Sequence, residues 1–415
     1  MKNFFKKNIN EIENDKALSW FGLFLSLTHV WTYLFWSLDL KVPQIISSQA
    51  TPVCWPFFEN CFNYRFLSVE QVDLVLSLYL LLGLAVSFLF VLPTRYTKWA
   101  YTGLVTLSVF KFILFAQDYQ LRMNQHYMAL AVTLAYLFIY SKRKVIPQVI
   151  VLFYVWAGTI KLNEEWLSGA GIYRLEKLWL PESLHKISFA YVVVLELVLA
   201  FFLLSKKKGI FYFTFIQFLL FHLLSWPIVG FFYPMVMYSL LAIFILDRLF
   251  AAPAVSAPLL PIGGSWQGAT YLTLFCLVQL TPYLFPGDIT LTGEGRYFAL
   301  NMFDAKSVCD GEFTIHMKDS SVKKLNINND WNESFRKNKL DGTLRLRTRI
   351  HCDPLVHFNR AQAFCRRNEV QNLDLIFFSR RSSDSEFKKL IDVKDFCTQN
   401  LSYSMYRHNS WILAQ

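Results

Sequence analysis

In "YVWAGTIKLNEEWLSG", residues 154–169, Lys161 ends an apolar run, and two glutamates and a tryptophan follow at once. Two histidines stand in comparable positions: His126 in "RMNQHYMALAV", two residues after Asn124, and His222 in "FLLFHLLSWP". Ionisable groups at membrane depth are costly, so each is a candidate functional residue. A lysine in an apolar pocket gives up its proton readily and can then act as a base. Histidine and asparagine nearby could donate hydrogen bonds to developing negative charge. The plainer readings are a lysine that snorkels to the headgroups, a core His222 that bonds a backbone carbonyl, and a His126 that caps a helix in a polar loop. Two further groups lie inside apolar runs, Lys111 in "SVFKFILF" and Glu196 in "YVVVLELVLAFF". Lys111 is close enough to a helix end to snorkel. Glu196 is mid-run and needs a partner or a proton, which reads as a structural or proton-handling group. Trp166 reads as an interfacial aromatic anchor.

Other chemistries find little support. HxxxH, HExxH and CxxC spacings do not occur, and Glu164 and Glu165 are adjacent and point apart on a helix, so no metal site is expected. There is no nucleophile elbow, phosphate loop or dinucleotide fingerprint.

The elements that must hold these residues are membrane helices. Of 415 residues 54% are hydrophobic and 40 are Phe, a composition foreign to most soluble domains. Apolar segments of about 20 residues recur, the length that crosses a bilayer core. About nine spans are expected, centred on 18–38, 71–93, 97–117, 126–140, 145–161, 186–205, 209–226, 229–249 and 266–285. The opening "MKNFFKKNINEIENDK" lacks a small-residue cleavage site and leads into a full span, so it does not read as a cleavable signal peptide.

Basic residues precede the first span at Lys2, Lys6 and Lys7 and follow later ones in "PTRYTK", "SKRKV", "SKKKG" and "LDRLF". With an odd number of spans all of these fall on one side, which the positive-inside rule makes cytoplasmic. Lys161, His126, His222 and the C-terminal region then face a periplasm or organelle lumen. The net charge of +11 thus reads as topology, and nucleic acid is not an expected partner. Cys276 lies within a span, whereas Cys54, Cys61, Cys309, Cys352, Cys365 and Cys397 fall outside, in an oxidising compartment where disulfides form. Cys54 and Cys61 can pair locally, and a link from the first outer loop to the C-terminal region is equally allowed.

The expected fold class is an all-α polytopic membrane domain, residues 1–287, followed by a smaller β-rich α+β extramembrane domain, residues 288–415. "AAPAVSAPLLPIGGS", 251–265, reads as a linker. In the C-terminal part "RYFALNMF", "GEFTIHMK", "KKLNIN", "GTLRLRTRI" and "LDLIFFSRR" read as strands, with turns at "DAKSVCDG", "KDSS" and "KLDG". "DPLVHFNRAQAFCRRN" reads as a helix capped by Asp353 with Pro354 at its first position. The sequons at Asn332 and Asn400 lie in this part.

Several stretches, in chain order, resemble one family. "AGTIKLNEEWLSG" is similar to the lysine segment of the vitamin K-dependent γ-glutamyl carboxylases and of the wider group of horizontally transferred transmembrane domain proteins. "MNQHYMALAV", "FHLLSWPIVGFFYPMVM", "LFPGDITLTGEGRYFALNMF" and "LIFFSRRSSDSEFKKLIDV" resemble other motifs of the family. The resemblance implies a catalytic Lys161, with His126, His222 and Asn124 as the other motif residues, and Lys161 and His222 facing the cofactor. It implies reduced vitamin K (a hydroquinone or menaquinol) as cofactor, oxygen and carbon dioxide as co-substrates, and a glutamate-containing exported peptide or protein as partner. The γ-hydrogen of glutamate is too weakly acidic for any side chain to remove. The implied chemistry therefore makes a stronger base from the hydroquinone and oxygen, after a protein base has deprotonated the hydroquinone. The altered "FFYPMVM", "LTGEG" and "SRR" stretches leave a second reading open: a non-carboxylating member that binds quinone or lipid, or assists maturation of an exported peptide.

Overall fold

The computed structural model describes residues 2–48, 50–172, 175–250, 263–297, 299–300, 307–327 and 350–414. Asp15 separates α1 (Lys2–Glu13) from α2 (Lys16–Leu34) and caps the latter by accepting from the Ala17 and Leu18 amides. A π-helical turn, Phe35–Asp39, prolongs α2, and the short α3 (Val42–Ile46) follows. A Ser68–Gln71 capping box opens α4 (Val69–Val91). Then come α5 (Thr97–Ala116), α6 (Asn124–Phe138), α7 (Lys142–Thr159), α8 (Glu164–Ser168), α9 (Glu182–Leu197), α10 (Lys208–Val229), α11 (Phe232–Leu249) and α12 (Trp266–Leu280).

Among the described residues, five helical segments are long and apolar enough to cross a membrane: Lys16–Asp39, Val69–Val91, Thr94–Ala116, Lys208–Val229 and Phe232–Leu249. The other expected spans fall on shorter or more charged helices. α6 and α12 have 15 residues each. α7 opens on Lys142, Arg143 and Lys144 and contains Pro147, while α9 gives way to a 3-10 segment at Leu199–Leu204. On α4, Leu74, Leu78, Leu81 and Phe88 point outward, as do Phe213, Ile216 and Leu220 on α10. A water-facing helix would place charge there.

Charged residues gather at one end of the bundle. Arg143 pairs with Asp15 at 3.4 Å and with Asp247 at 2.5 Å. The buried Lys142 Nζ donates to Ile139 O at 2.8 Å and to Asn8 Oδ1, and Arg248 donates to Ser205 O. The basic residues 142–144 and Arg248 thus lie beside α1 and the ends of α7 and α11, with Ser205, just before the 206–208 cluster, held by Arg248.

Past the bundle, α13 (Ile289–Thr292) leads into an antiparallel sheet of order β2-β1-β3-β4, built from β1 (Val308–Met317), β2 (Val322–Asn326), β3 (Val370–Arg380) and β4 (Lys388–Val393). Side chains of β1 alternate between buried and more exposed, so one face carries the core. α14 (Pro354–Cys365) covers it, capped by Asp353 and with Pro354 in its first turn, as expected.

Three expectations need correction. Val308–Gly311 of the expected turn "DAKSVCDG" belong to β1, where they pair with Phe377–Arg380. The described part of "RYFALNMF" is not a strand: Leu300 N donates to Gln279 Oε1 of α12 at 2.7 Å, so a helix side chain takes the bond a ladder would use. "KKLIDV" forms β4, which the sequence reading left out. The linker over 251–262, the strand and turn over 339–349, the end of "KKLNIN" and the sequon at Asn332 lie outside the described residues.

The disulfides are Cys54–Cys61, Cys309–Cys352 and Cys365–Cys397, and Cys276 is free. Of the pairings left open, the first loop takes the local one, and its tie to the C-terminal unit is non-covalent. Cys54 N donates to Asn359 Oδ1 at 3.0 Å. Val53, Trp55 and Tyr119 join the core formed by Phe313, Leu375, Phe377 and Phe358, so the second core is not confined to residues after 287. Tyr119 donates its hydroxyl to the buried Asp353 at 2.7 Å, and Arg296 pairs with the same oxygen at 3.0 Å. Hydrogen bonds to charged groups contribute about 1.5–3 kcal/mol. Tyr119→Phe should therefore lower the unfolding free energy of the C-terminal unit by about that amount, read by denaturant titration of the full chain.

Candidate functional site

Gly158 is the local reason that Lys161 has a partner. A Cβ at Gly158 would lie 2.9 Å from Leu197 Cγ and 3.0 Å from Glu196 Cβ, so a side chain there would force α7 and α9 apart. Their close approach sets Glu196, buried in the last turn of α9, beside Lys161 Nζ, and the two form a buried ion pair. α7 ends at Thr159. Asn163 starts α8 by accepting from Trp166 N at 2.9 Å and holds the end of α7 by donating to Ile160 O at 2.7 Å. Gly169, at a φ of 80°, closes α8. The order in "GTIKLNEEWLSG" is therefore a helix end, a lysine, a cap, a one-turn helix and a left-handed stop.

Lys161 forms part of the wall of a cavity of about 350 Å³ between α8, α9 and α10. The rest of the wall is nearly all apolar, including Phe189, Leu195, Leu220 and Phe221. The Trp166 ring lies 5.1 Å from Lys161 Nζ, and its indole donates to Phe189 O at 3.0 Å. Trp166 is thus a half-buried wall residue of this cavity. Gln217 is a polar member of the wall whose buried Nε2 has no partner among the described residues.

His222 stands one layer behind. Its ring packs on Phe221 at 4.9 Å and Tyr233 at 5.1 Å, both wall residues, and its Nε2 meets the Tyr154 hydroxyl at 2.8 Å. The structure therefore brings Lys161 and His222 to one cluster and adds Glu196, Tyr154, Tyr233 and Gln217 to it.

His126 belongs to another cluster. It lines a separate cavity of about 100 Å³ with His29, Lys111, Thr28, Thr133 and Phe115. The two cavities share no wall residue. Adjacent residues of α11 stand between them: Phe232 packs on His126 at 5.1 Å and Tyr233 on His222 at 5.1 Å. Successive helical side chains diverge by about 100°, so one turn of α11 serves both sides. Asn124 is buried in the first turn of α6, on the element that carries His126. The expectation that the lysine and both histidines share one site is corrected to this extent. Their shared end of the bundle does not bring them into one cavity, because α11 intervenes. Lys111 does not snorkel. It turns inward and donates to Thr32 Oγ1 at 3.1 Å.

The C-terminal unit reaches the Lys161 segment through "SRRSSD". Ser382 Oγ meets Glu165 Oε1 at 3.2 Å and donates to Ala170 O at 3.0 Å. Arg381 pairs with Asp288 at 2.6 Å. Glu164 and Glu165 do point apart: Glu164 is exposed and Glu165 buried.

Comparison with protein-family models, curated proteins and solved structures returned no match.

Two outcomes follow from this geometry. Removing one partner of a buried ion pair costs about 3–5 kcal/mol, and replacing both with apolar residues is often close to neutral. Glu196→Leu should destabilise the protein by about that amount and Lys161→Met/Glu196→Leu much less, measured by unfolding in mixed micelles. Burial raises the Asp288 carboxyl, but the bonds from Arg381 and Thr290 outweigh it and hold the group below its usual value. A depressed carboxyl stabilises the fold above its unfolded pKa and loses that contribution as pH falls through the folded value. Acidification from pH 7 to 5 should leave the Arg381–Asp288 latch intact, and it should open only as pH falls below the usual carboxylate range. Hydrogen exchange at 288–292 reads this directly.

Proposed function

We propose that this chain is an integral membrane, quinol-dependent enzyme of the γ-glutamyl carboxylase type, with Lys161 as the base that takes a proton from a hydroquinone. The observation that carries this reading is the buried Lys161–Glu196 pair set in the wall of an apolar cavity. The resemblance of "AGTIKLNEEWLSG" to the carboxylase lysine segment supports it. The bundle would cross the membrane about nine times, the shorter helices tilted or partial. The basic end would face the cytoplasm and the C-terminal unit the periplasm or lumen.

The residues fit a quinol. A cavity of about 350 Å³ is within the size range of small-molecule sites. Its apolar walls suit a lipid-soluble ring, and the orphan Gln217 Nε2 and Lys161 Nζ offer polar contacts. When bound, the reduced quinone would supply, with oxygen, the strong base that glutamate carboxylation needs. The protein's part is proton handling. A lysine is a base only when neutral, and Glu196 can accept its proton without changing the charge of the pair, which avoids the cost of a lone buried charge. His222 and Tyr154 brace the wall from behind. The wall residues keep water from Lys161, which strengthens every polar interaction inside.

One observation favours the second reading, a quinone- or lipid-binding protein without carboxylation: His126 and Asn124 are not at the Lys161 cavity. The deciding experiment uses protein in detergent with reduced vitamin K, a short glutamate peptide and labelled bicarbonate. Label incorporation and quinone epoxide should both appear, and both should vanish in Lys161→Ala while the variant still inserts and folds. Normal turnover in Lys161→Ala removes Lys161 from the mechanism. Quinone binding with no oxygen consumed supports the second reading.

A further inference from the structure

The turn that joins the 3-10 segment Leu199–Leu204 to α10 carries three consecutive exposed lysines, Lys206, Lys207 and Lys208. Lys208 is the first residue of α10. Arg248, near the end of α11, stands over the Phe211 ring at 3.6 Å and donates to Ser205 O, which sets a fourth cation at the same turn. Asp247, the acid beside it in sequence, is taken by Arg143 at 2.5 Å. Among the described residues no carboxylate pairs with Lys206, Lys207, Lys208 or Arg248. Four like charges on one turn raise the local potential and draw anions to it.

Outward-facing apolar surface begins at the same turn. Phe201 and Phe202 on one arm, and Ile210 and Phe213 on the other, are exposed. Among the described residues α10 is the least buried of the five long apolar helices, so most of its surface calls for lipid rather than protein. Cations above an apolar face match an anionic phospholipid, whose phosphate meets the charges while its acyl chains run along the side chains below. A free anion would use the lysines alone and leave the apolar arms uncovered. We propose that the Lys206–Lys208 turn and Arg248 hold the phosphate of an anionic phospholipid, with its acyl chains along Phe202 and Phe213. Leu220, on the same helix, lines the Lys161 cavity about 18 Å along the axis from Lys208, at 1.5 Å per residue. The lipid thus fixes the height of α10, the helix with least protein around it, from the end remote from that cavity. The site does not depend on Lys161 acting as a base, so the two assignments can fail separately.

The test is thermal unfolding of the full chain in a neutral detergent with four probes at matched ionic strength: dioleoyl phosphatidylglycerol, dioleoyl phosphatidylcholine, the chain-free headgroup glycerophosphoglycerol, and inorganic phosphate. Phosphatidylglycerol should raise the midpoint by about 2–4 °C at concentrations well above its Kd, and the other three should not. The shift should be lost in Lys206→Gln/Lys207→Gln/Lys208→Gln. It should persist in Lys6→Gln/Lys7→Gln/Lys98→Gln, which removes the same charge from exposed lysines elsewhere. Native mass spectrometry should show the affinity for phosphatidylglycerol falling by at least about tenfold in the first variant only. Lys207→Glu alone should also abolish the shift, and it decides the matter if the triple variant does not fold. An equal shift from phosphatidylcholine means general solvation by lipid, and a shift from phosphate or the free headgroup means a small-anion site; either overturns the proposal. So does the absence of a shift with phosphatidylglycerol, a full shift in the Lys206–Lys208 variant, or an equal loss in the Lys6, Lys7 and Lys98 variant.

Discussion

The buried pair of Lys161 and Glu196 is the constraint around which the helical part is arranged. Neither charge is tolerable alone in an apolar bundle, and their attraction offsets the cost only when the two helices nearly touch. Gly158 provides that contact by having no side chain. The cap at Asn163, the stop at Gly169 and the wall of Trp166 and Phe221 then follow from where the lysine must end. Water would weaken the pair, and the apolar wall excludes it, so cavity and ion pair sustain each other.

α11 gives the interior its second organising feature. Phe232 and Tyr233 are neighbours in sequence and serve different sites, one stacking with Phe35 at 4.4 Å and touching His126, the other backing His222. A shift of α11 by part of a turn would disturb both cavities at once. The partition also separates two settings: a lysine–glutamate pair with internal charge balance on one side, and a lysine and two histidines without an acid in the wall on the other.

The sequence was legible where local rules are strong. Asp353 and Pro354 announced their helix, and the alternating residues of "GEFTIHMK" announced their strand, because caps and period-two burial are written within a few residues. Apolar helices and the disulfide-rich end were equally plain. The misses share one cause, which is that the deciding partner is distant in sequence. Glu196 needed a partner, and nothing near residue 196 names Lys161; the signal lay in Gly158, a glycine three residues before the lysine, which marks a close helix contact. Lys111 seemed free to snorkel until Thr32 on another helix claimed it. "RYFALNMF" had strand composition, but Gln279 took its backbone donor. His29, which lines the smaller cavity and meets Tyr79 at 2.6 Å, sits in a helix too ordinary in pattern to attract notice.

The mixed ancestry of the second core bears on how the chain is made. Trp55 and Tyr119 emerge early in synthesis, and the strands and helix they pack against emerge some two to three hundred residues later. Until then two large aromatic side chains wait without their core. Closing contacts over such separations is slow, and the late-arriving unit lacks part of its interior unless the first loops are already in place. Completion of the C-terminal unit thus depends on the loops between the early helices, and a chain in which those loops were misplaced would leave Trp55 and Tyr119 without their core.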